Sequence, residues 1–483
     1  MAGPASVANS QPLTVLTQML LGGGVAASLL WSFLITHSLL PIAAILGLVM
    51  MWVILRDPLY SIIGFMVINV IITLRPQADT IGSAPTMFDM ILGLGLTAII
   101  GYWIFKIRIL EWRSLSVSAG QLSLMLFFVW AVFVTIGGII FNNNPATVAL
   151  RELLNLLPLL ILPVLYVRFI TPGSKAENWI FAGVLTSGLV IAIGNILVMR
   201  HNIAQAYFLF QTGRASLDTL LAPFIIVILV SYLMAEKQPW RIRASIILLL
   251  IETTALAVSF IRNMYIATPI VAMIVLWLGI REERKRGARR MLAAGFVGFI
   301  ALTVAIFFLP LLLLMLKAFF LRLLSTQSLG HDLALRERFA EWSGEWLAIK
   351  QSPILGHGFG GSFRIFDIGS GYHTWMSFSH SSYLYIIFKT GIIGALLFFV
   401  QFFTFLHKGF RLARNKSLSE RSRVVARGCF GCLILLLFSA FLGPVFDSKT
   451  DLMWVGLIWG YFLALERQIR SKAIIFNVSH QQI

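Results

Sequence analysis

Arg336-Glu337-Arg338-Phe339-Ala340-Glu341-Trp342, then Ser352-Pro353-Ile354-Leu355-Gly356-His357-Gly358-Phe359-Gly360-Gly361, then His380-Ser381-Ser382-Tyr383-Leu384 form the one long polar excursion in an otherwise apolar chain. The last run leads straight into an apolar segment holding Gly391 and Gly394. Within the excursion, Leu335, Phe339, Trp342, Trp346 and Ile349 recur at helical spacing, which predicts an amphipathic helix over 333–350. Glu337, Glu341 and Glu345 line another face at i, i+4 and i+8. Ser352-Pro353 stops the helix. The apolar face of this helix has two possible seats, the membrane surface or the rest of the protein.

Outside the excursion the chain reads as membrane. It is 58% apolar and 12% charged, with a mean hydropathy of +0.88, whereas soluble domains carry about twice that charge. A spanning helix needs about 20 mostly apolar residues. That rule predicts spans near 13–36, 38–55, 59–74, 86–105, 118–141, 149–170, 178–199, 215–234, 244–260, 264–280, 291–316, 379–405, 424–446 and 451–466. Backbone groups in lipid must bond internally, so the fold class expected is an all-α polytopic membrane protein with about 12–14 transmembrane helices. Its expected parts are a helix bundle over 1–321, an extracytoplasmic loop over 322–378, and C-terminal spans with a cytoplasmic tail over 379–483.

The net charge of +18 could suggest nucleic-acid binding. Its placement argues otherwise. The cations sit in short runs between apolar segments, at 106–113, 237–243, 281–290, 408–423 and from 467 onward. These runs fall on alternate sides of the span count, so all share one face, which the positive-inside rule makes cytoplasmic. Both termini then lie inside and the long loop lies outside. Cys429 and Cys432 stand at C-x-x-C spacing in an apolar run, and read as small packing residues rather than a redox pair.

Several residues depart from this plan. Arg214 and Arg262 fall on the outer face close to span ends. A charge at that depth is a functional candidate; the alternatives are snorkelling to lipid phosphates or, for Arg214, a pair with Asp218. Glu252 lies inside a span and reads as a packing residue or a proton relay. His380 opens a span, where it is an interfacial polar residue or a base. His331, His357, His373 and His380 show neither H-x-x-x-H nor H-E-x-x-H spacing, so no metal site is expected. The glycine run is a tight turn rather than a nucleotide loop, because no strand-turn-helix unit surrounds it.

The pattern Arg338, Trp342, Pro353-x-x-Gly356-x-Gly358-x-Gly360, followed by His380-x-x-Tyr383-Leu384 with Gly391 and Gly394, resembles the bacterial O-antigen ligase and polymerase superfamily. Ser259-x-x-Arg262 and Gly213-Arg214 resemble its arginine motifs, with a looser spacing at Ser259. The resemblance implies an inverting, metal-independent membrane glycosyltransferase without a cofactor. Its donor would be a glycan on undecaprenyl diphosphate, at the outer face of the bacterial inner membrane. Its acceptor would be lipid A-core or a further lipid-linked repeat. Carried over, Arg214 and Arg262 would grip the diphosphate and His380 would orient or deprotonate the acceptor hydroxyl. Arg338, Trp342 and Tyr383 would lie on the substrate-binding side. The rival class is a multi-span transporter, of lipid-linked glycan or a small anion.

Overall fold

A computed structural model of the chain describes residues 57–74, 102, 119–205, 220–259, 261–283, 333–368 and 371–481. The chain divides into two compact units after Gly64. Of the first unit, only the start of helix α1 (Pro58–Leu74) is described. The expected spans at 13–36, 38–55, 86–105 and 291–316 lie outside the described residues.

The second unit is helical. It comprises α2 (Ala119–Phe141), α3 (Ala146–Asn155), α4 (Leu157–Phe169), α5 (Lys175–Gln205), α6 (Leu221–Ala235), α7 (Pro239–Ser259) and α8 (Arg262–Glu283). After α9 (Leu333–Gln351) come strands β1 (Phe363–Asp367) and β2 (Tyr372–Met376). Helices α10 (Ser382–Arg414), α11 (Glu420–Leu442) and α12 (Lys449–Gln481) close the order. Among the described residues, six helices are long and apolar enough to cross a membrane, and three apolar stretches are shorter. The protein is an all-α polytopic membrane protein, with one small antiparallel hairpin among the described residues. Each described helix falls on an expected span, and α9 matches the expected amphipathic helix.

Small residues allow the close packing. Gly456 and Gly460 let α12 lie against α4; a Cβ on Gly460 would come within 2.5 Å of the Tyr166 Cβ. On α11, Gly428 and Gly431 approach Ile228 and Val227 of α6, and Gly431 also approaches Val275 of α8. Cys429 and Cys432 are free and buried on the same helix, and the Cys432 thiol points to the Phe224 carbonyl at 3.6 Å. Packing between helices without a hydrophobic driving force favours such residues.

The connections sort into two ends. Lys237 pairs with Glu420 at 3.3 Å, Lys408 pairs with Glu466 at 2.9 Å, and the Arg467 guanidinium donates to the Val167 carbonyl at 3.1 Å. The described basic connections therefore gather at one end, as the alternating runs predict. At the other end, Asn142 and Asn144 donate to the His357 carbonyl, and Ser382 donates to the Gly443 carbonyl at 2.6 Å. Helix α7 starts at the basic end and runs away from it, so Arg262, which opens α8, stands at the same end as Ser382.

Helix α10 is broken. Gly391 has φ 66° and ψ −176°, a region open essentially to glycine alone. The break frees the carbonyls of Phe388, Lys389 and Thr390 from the helix ladder. Each finds a donor elsewhere: His357 N–H at 2.8 Å, Gly358 N–H at 2.9 Å and the Trp130 indole N–H at 2.8 Å. In return, Ile392 N–H donates to the Pro353 carbonyl at 2.9 Å. The glycine run thus fills the gap in a spanning helix, where unpaired backbone would cost several kcal/mol per group. It has to be glycine. Gly356, Gly358 and Gly360 all have φ between 74° and 79°. A Cβ on Gly356 would meet Gly391 N at 2.4 Å, one on Gly358 the Val134 carbonyl at 2.6 Å, and one on Gly360 Ala149 at 2.9 Å. The tight turn read from the sequence is a wedge between α2, α3 and α10.

Candidate active site

Helix α9 turns two of the three residues of its acidic face inward, leaving Glu337 exposed. Glu341 is 3% exposed and Glu345 0%, whereas Phe339, Trp346 and Leu347 are exposed. Of the described residues of the apolar stripe, Phe339 and Trp346 face outward, Ile349 is buried, and Trp342 is half-buried with its ring against Phe441 of α11. The acids turn inward because their partners are there. The segment between β2 and α10 passes across them. The His380 backbone N–H donates to one Glu341 oxygen, and His380 Nδ1 lies 2.7 Å from the other. Ser379 Oγ donates to Glu345 Oε2 at 2.7 Å. Ser381 N–H donates back to Ser379 Oγ at 3.0 Å, which tightens the turn into α10.

The orientation of the imidazole follows from these contacts. An ionised carboxylate only accepts. A carboxylate there accepts from Nδ1–H, so Nε2 is the ring nitrogen left facing away from Glu341. The His380 side chain stays 37% exposed at the end of the bundle. A carboxylate–histidine pair of this kind can serve as a general base, with the carboxylate orienting the ring rather than taking the proton.

Under the turn lies a buried ion pair. Lys389 of α10 bonds Glu152 of α3 at 2.7 Å, with side chains 0% and 4% exposed. Lys389 also donates to the Gly361 carbonyl at 2.9 Å, and Gly360 N–H donates to Glu152 at 2.8 Å. The pair clamps the glycine run on both sides. Beside it, Tyr385 Oη lies 3.1 Å from Asp447 Oδ1.

The sequence-predicted residues divide as follows. His380 and Trp342 stand around the turn, and Arg338 is half-buried on the same helix as Glu341. Tyr383 sends its hydroxyl into the bundle, donating to the Leu437 carbonyl at 2.9 Å. Arg262 opens α8 at the same end of the bundle as His380. Arg214 and His331 lie outside the described residues. His357 stacks on Phe388 with Nε2 2.8 Å from the Ala348 carbonyl, and His373 Nδ1 lies 3.3 Å from the Ile365 carbonyl. The described histidines thus go to separate partners, and no group of three metal-ligating side chains is present among the described residues. Glu252 is fully buried on α7, facing Gly188 of α5. Sequence reasoning missed Glu152, Lys389, and the pairing of Glu341 and Glu345 with His380 and Ser379.

Residues 244–399 match the sequence model of a family described as O-antigen ligase. The matched stretch runs from α7 into α10 and carries Arg262, Arg338, Glu341 and His380. No curated protein matches the chain. Over that stretch the chain is similar to the O-antigen ligase family.

Proposed function

We propose that this protein is a member of the O-antigen ligase superfamily and transfers a glycan from undecaprenyl diphosphate to an acceptor hydroxyl, at the outer face of the bacterial inner membrane. The coarse reading, a glycan-ligating or polymerising membrane enzyme, comes from the family. The observation that carries the finer one is the Glu341–His380 pair, a base presented at the end of the bundle opposite the basic connections. The acceptor would be lipid A-core or a further lipid-linked repeat.

In the proposed step the acceptor oxygen attacks the anomeric carbon from the face opposite the diphosphate, which inverts that centre. Its proton passes to His380 Nε2. The bond from the anomeric carbon to the phosphate oxygen breaks, and the electron pair leaves with the diphosphate. Negative charge grows on that leaving group, so fixed guanidinium groups are the matching stabilisers. Arg214 and Arg262 are assigned this role. No metal is invoked in the step. Arg338, Trp342 and Tyr383 are assigned to the substrate side.

Purified protein mixed with a lipid-linked glycan and candidate acceptors should form the glycosylated acceptor and release undecaprenyl diphosphate. No release with any acceptor would sink the transferase reading. In that assay Arg214→Lys and Arg262→Lys should each lose about a hundredfold in rate, since lysine keeps the charge but not the two-pronged geometry. Near-normal transfer by both variants would make these arginines interfacial anchors instead.

The orientation is open to a separate test. A cysteine at Thr374 should react with an impermeant maleimide in intact spheroplasts, and one at Ser417 only after permeabilisation. The two native cysteines are buried and give little background. The reverse order would turn the protein over in the membrane.

A further inference from the structure

Two carboxylates sit one helical turn apart under the same turn, yet their surroundings differ. Glu341 receives two donors, the His380 backbone N–H and His380 Nδ1. Glu345 receives one, the Ser379 hydroxyl, on Oε2. Its other oxygen, Oε1, is buried with no hydrogen-bond partner among the described residues, in a side chain with no exposed surface. A bare carboxylate oxygen in that position would be costly, and a second negative charge beside Glu341 more so. The unpartnered oxygen is where a proton would reside.

We propose that Glu345 is a positioning residue for His380 that keeps its own proton, leaving Glu341 as the single charged carboxylate presented to the imidazole. The titratable groups facing it are Glu341 on its own helix, His380 beyond Glu341, and Lys389 of α10, which is already paired with Glu152 of α3. Burial pushes the Glu345 carboxyl up to about 8 and the Glu341 charge adds to the rise, against the Ser379 hydrogen bond and the Lys389 charge. Neighbouring carboxyl groups in different surroundings can take different tasks. Glu341 holds the ring through its charge. Glu345 holds Ser379, and so the turn that carries His380, without competing for the imidazole proton.

The sign of the pH effect follows. A carboxyl raised in the folded state stabilises it below the ordinary carboxylate range, about 4.5 here, and that contribution is lost as pH rises towards about 8. Above that, Glu345 becomes a second anion beside Glu341 and the turn loosens. In purified full-length protein, transfer should therefore fall about tenfold per pH unit above pH 8. Glu345→Gln, which is neutral at every pH and keeps an acceptor for Ser379, should lose that alkaline fall. Glu345→Asp, too short to reach Ser379, should lower kcat while leaving the donor KM in place.

The activity arm rests on the transferase reading, and a second arm does not. The melting temperature of the detergent-solubilised protein should fall between pH 5 and pH 8, less so in Glu345→Gln. A Glu345→Gln protein with the wild-type alkaline fall and the wild-type melting profile would overturn the proposal. So would one that folds normally but is inactive at every pH, or one that fails to fold, because a neutral isostere is what the site is proposed to hold. If only the melting arm succeeds, Glu345 keeps its proton and the transferase reading is what fails.

Discussion

Lys389→Met should destabilise the bundle by about 3–5 kcal/mol, because it leaves the Glu152 carboxylate buried without its cation. Both side chains are almost fully enclosed, and the ammonium supplies a hydrogen bond to the Gly361 carbonyl as well as the ion pair. Glu152→Gln should cost less. Its amide oxygen still accepts from Gly360 N–H, and the ammonium keeps the Gly361 carbonyl, but Lys389 is left as a buried charge without its counter-ion. Combining the two should recover most of the loss, since no buried charge then remains; neutral replacement of a buried pair is often close to neutral in stability. Melting in detergent, followed by size-exclusion recovery, measures all three variants. If Lys389→Met were as stable as wild type, the pair would not be what clamps the glycine run into the break at Gly391.

The spans were legible because composition and length alone define them, and the ends of the bundle because basic runs alternate along the chain. The core of the site was harder to see for a specific reason. Glu341 and Glu345 stood out at i and i+4, but a charged stripe on a helix ordinarily faces water. The residues that turn it inward, Ser379 and His380, lie more than thirty positions later in the chain. Lys389 was a readable signal, a lone cation inside an apolar segment. Its partner Glu152 is on a different helix, and pattern along the chain does not report contact across it. The hairpin was missed for want of length. Phe363-Arg364-Ile365-Phe366-Asp367 begins with strand alternation, and its inner residues Phe363 and Ile365 do pack into a cluster with Ile349 and Phe388. Five residues are too few to stand out beside a predicted helix. The glycine run was legible as a turn but not as a patch for a broken helix, because Gly391 looks like any glycine in a spanning segment until the carbonyls around it are traced to their donors.

His380→Ala should lower transfer by about 100- to 10,000-fold, the range for removing a positioned general base, with donor binding retained. Glu341→Gln tests whether the carboxylate acts through the ring. The amide keeps one acceptor but adds a donor, so it no longer enforces the tautomer with the lone pair on Nε2. It should cost about 100-fold or more. The decisive comparison is the double variant. If Glu341 works only by orienting and tuning His380, the loss in Glu341→Gln/His380→Ala should equal that in His380→Ala alone, because residues that act as a unit are strongly non-additive. Losses that multiply would mean that Glu341 touches the reaction on its own. The base would then have to be sought among the remaining acids of the site rather than at the ring that Glu341 holds.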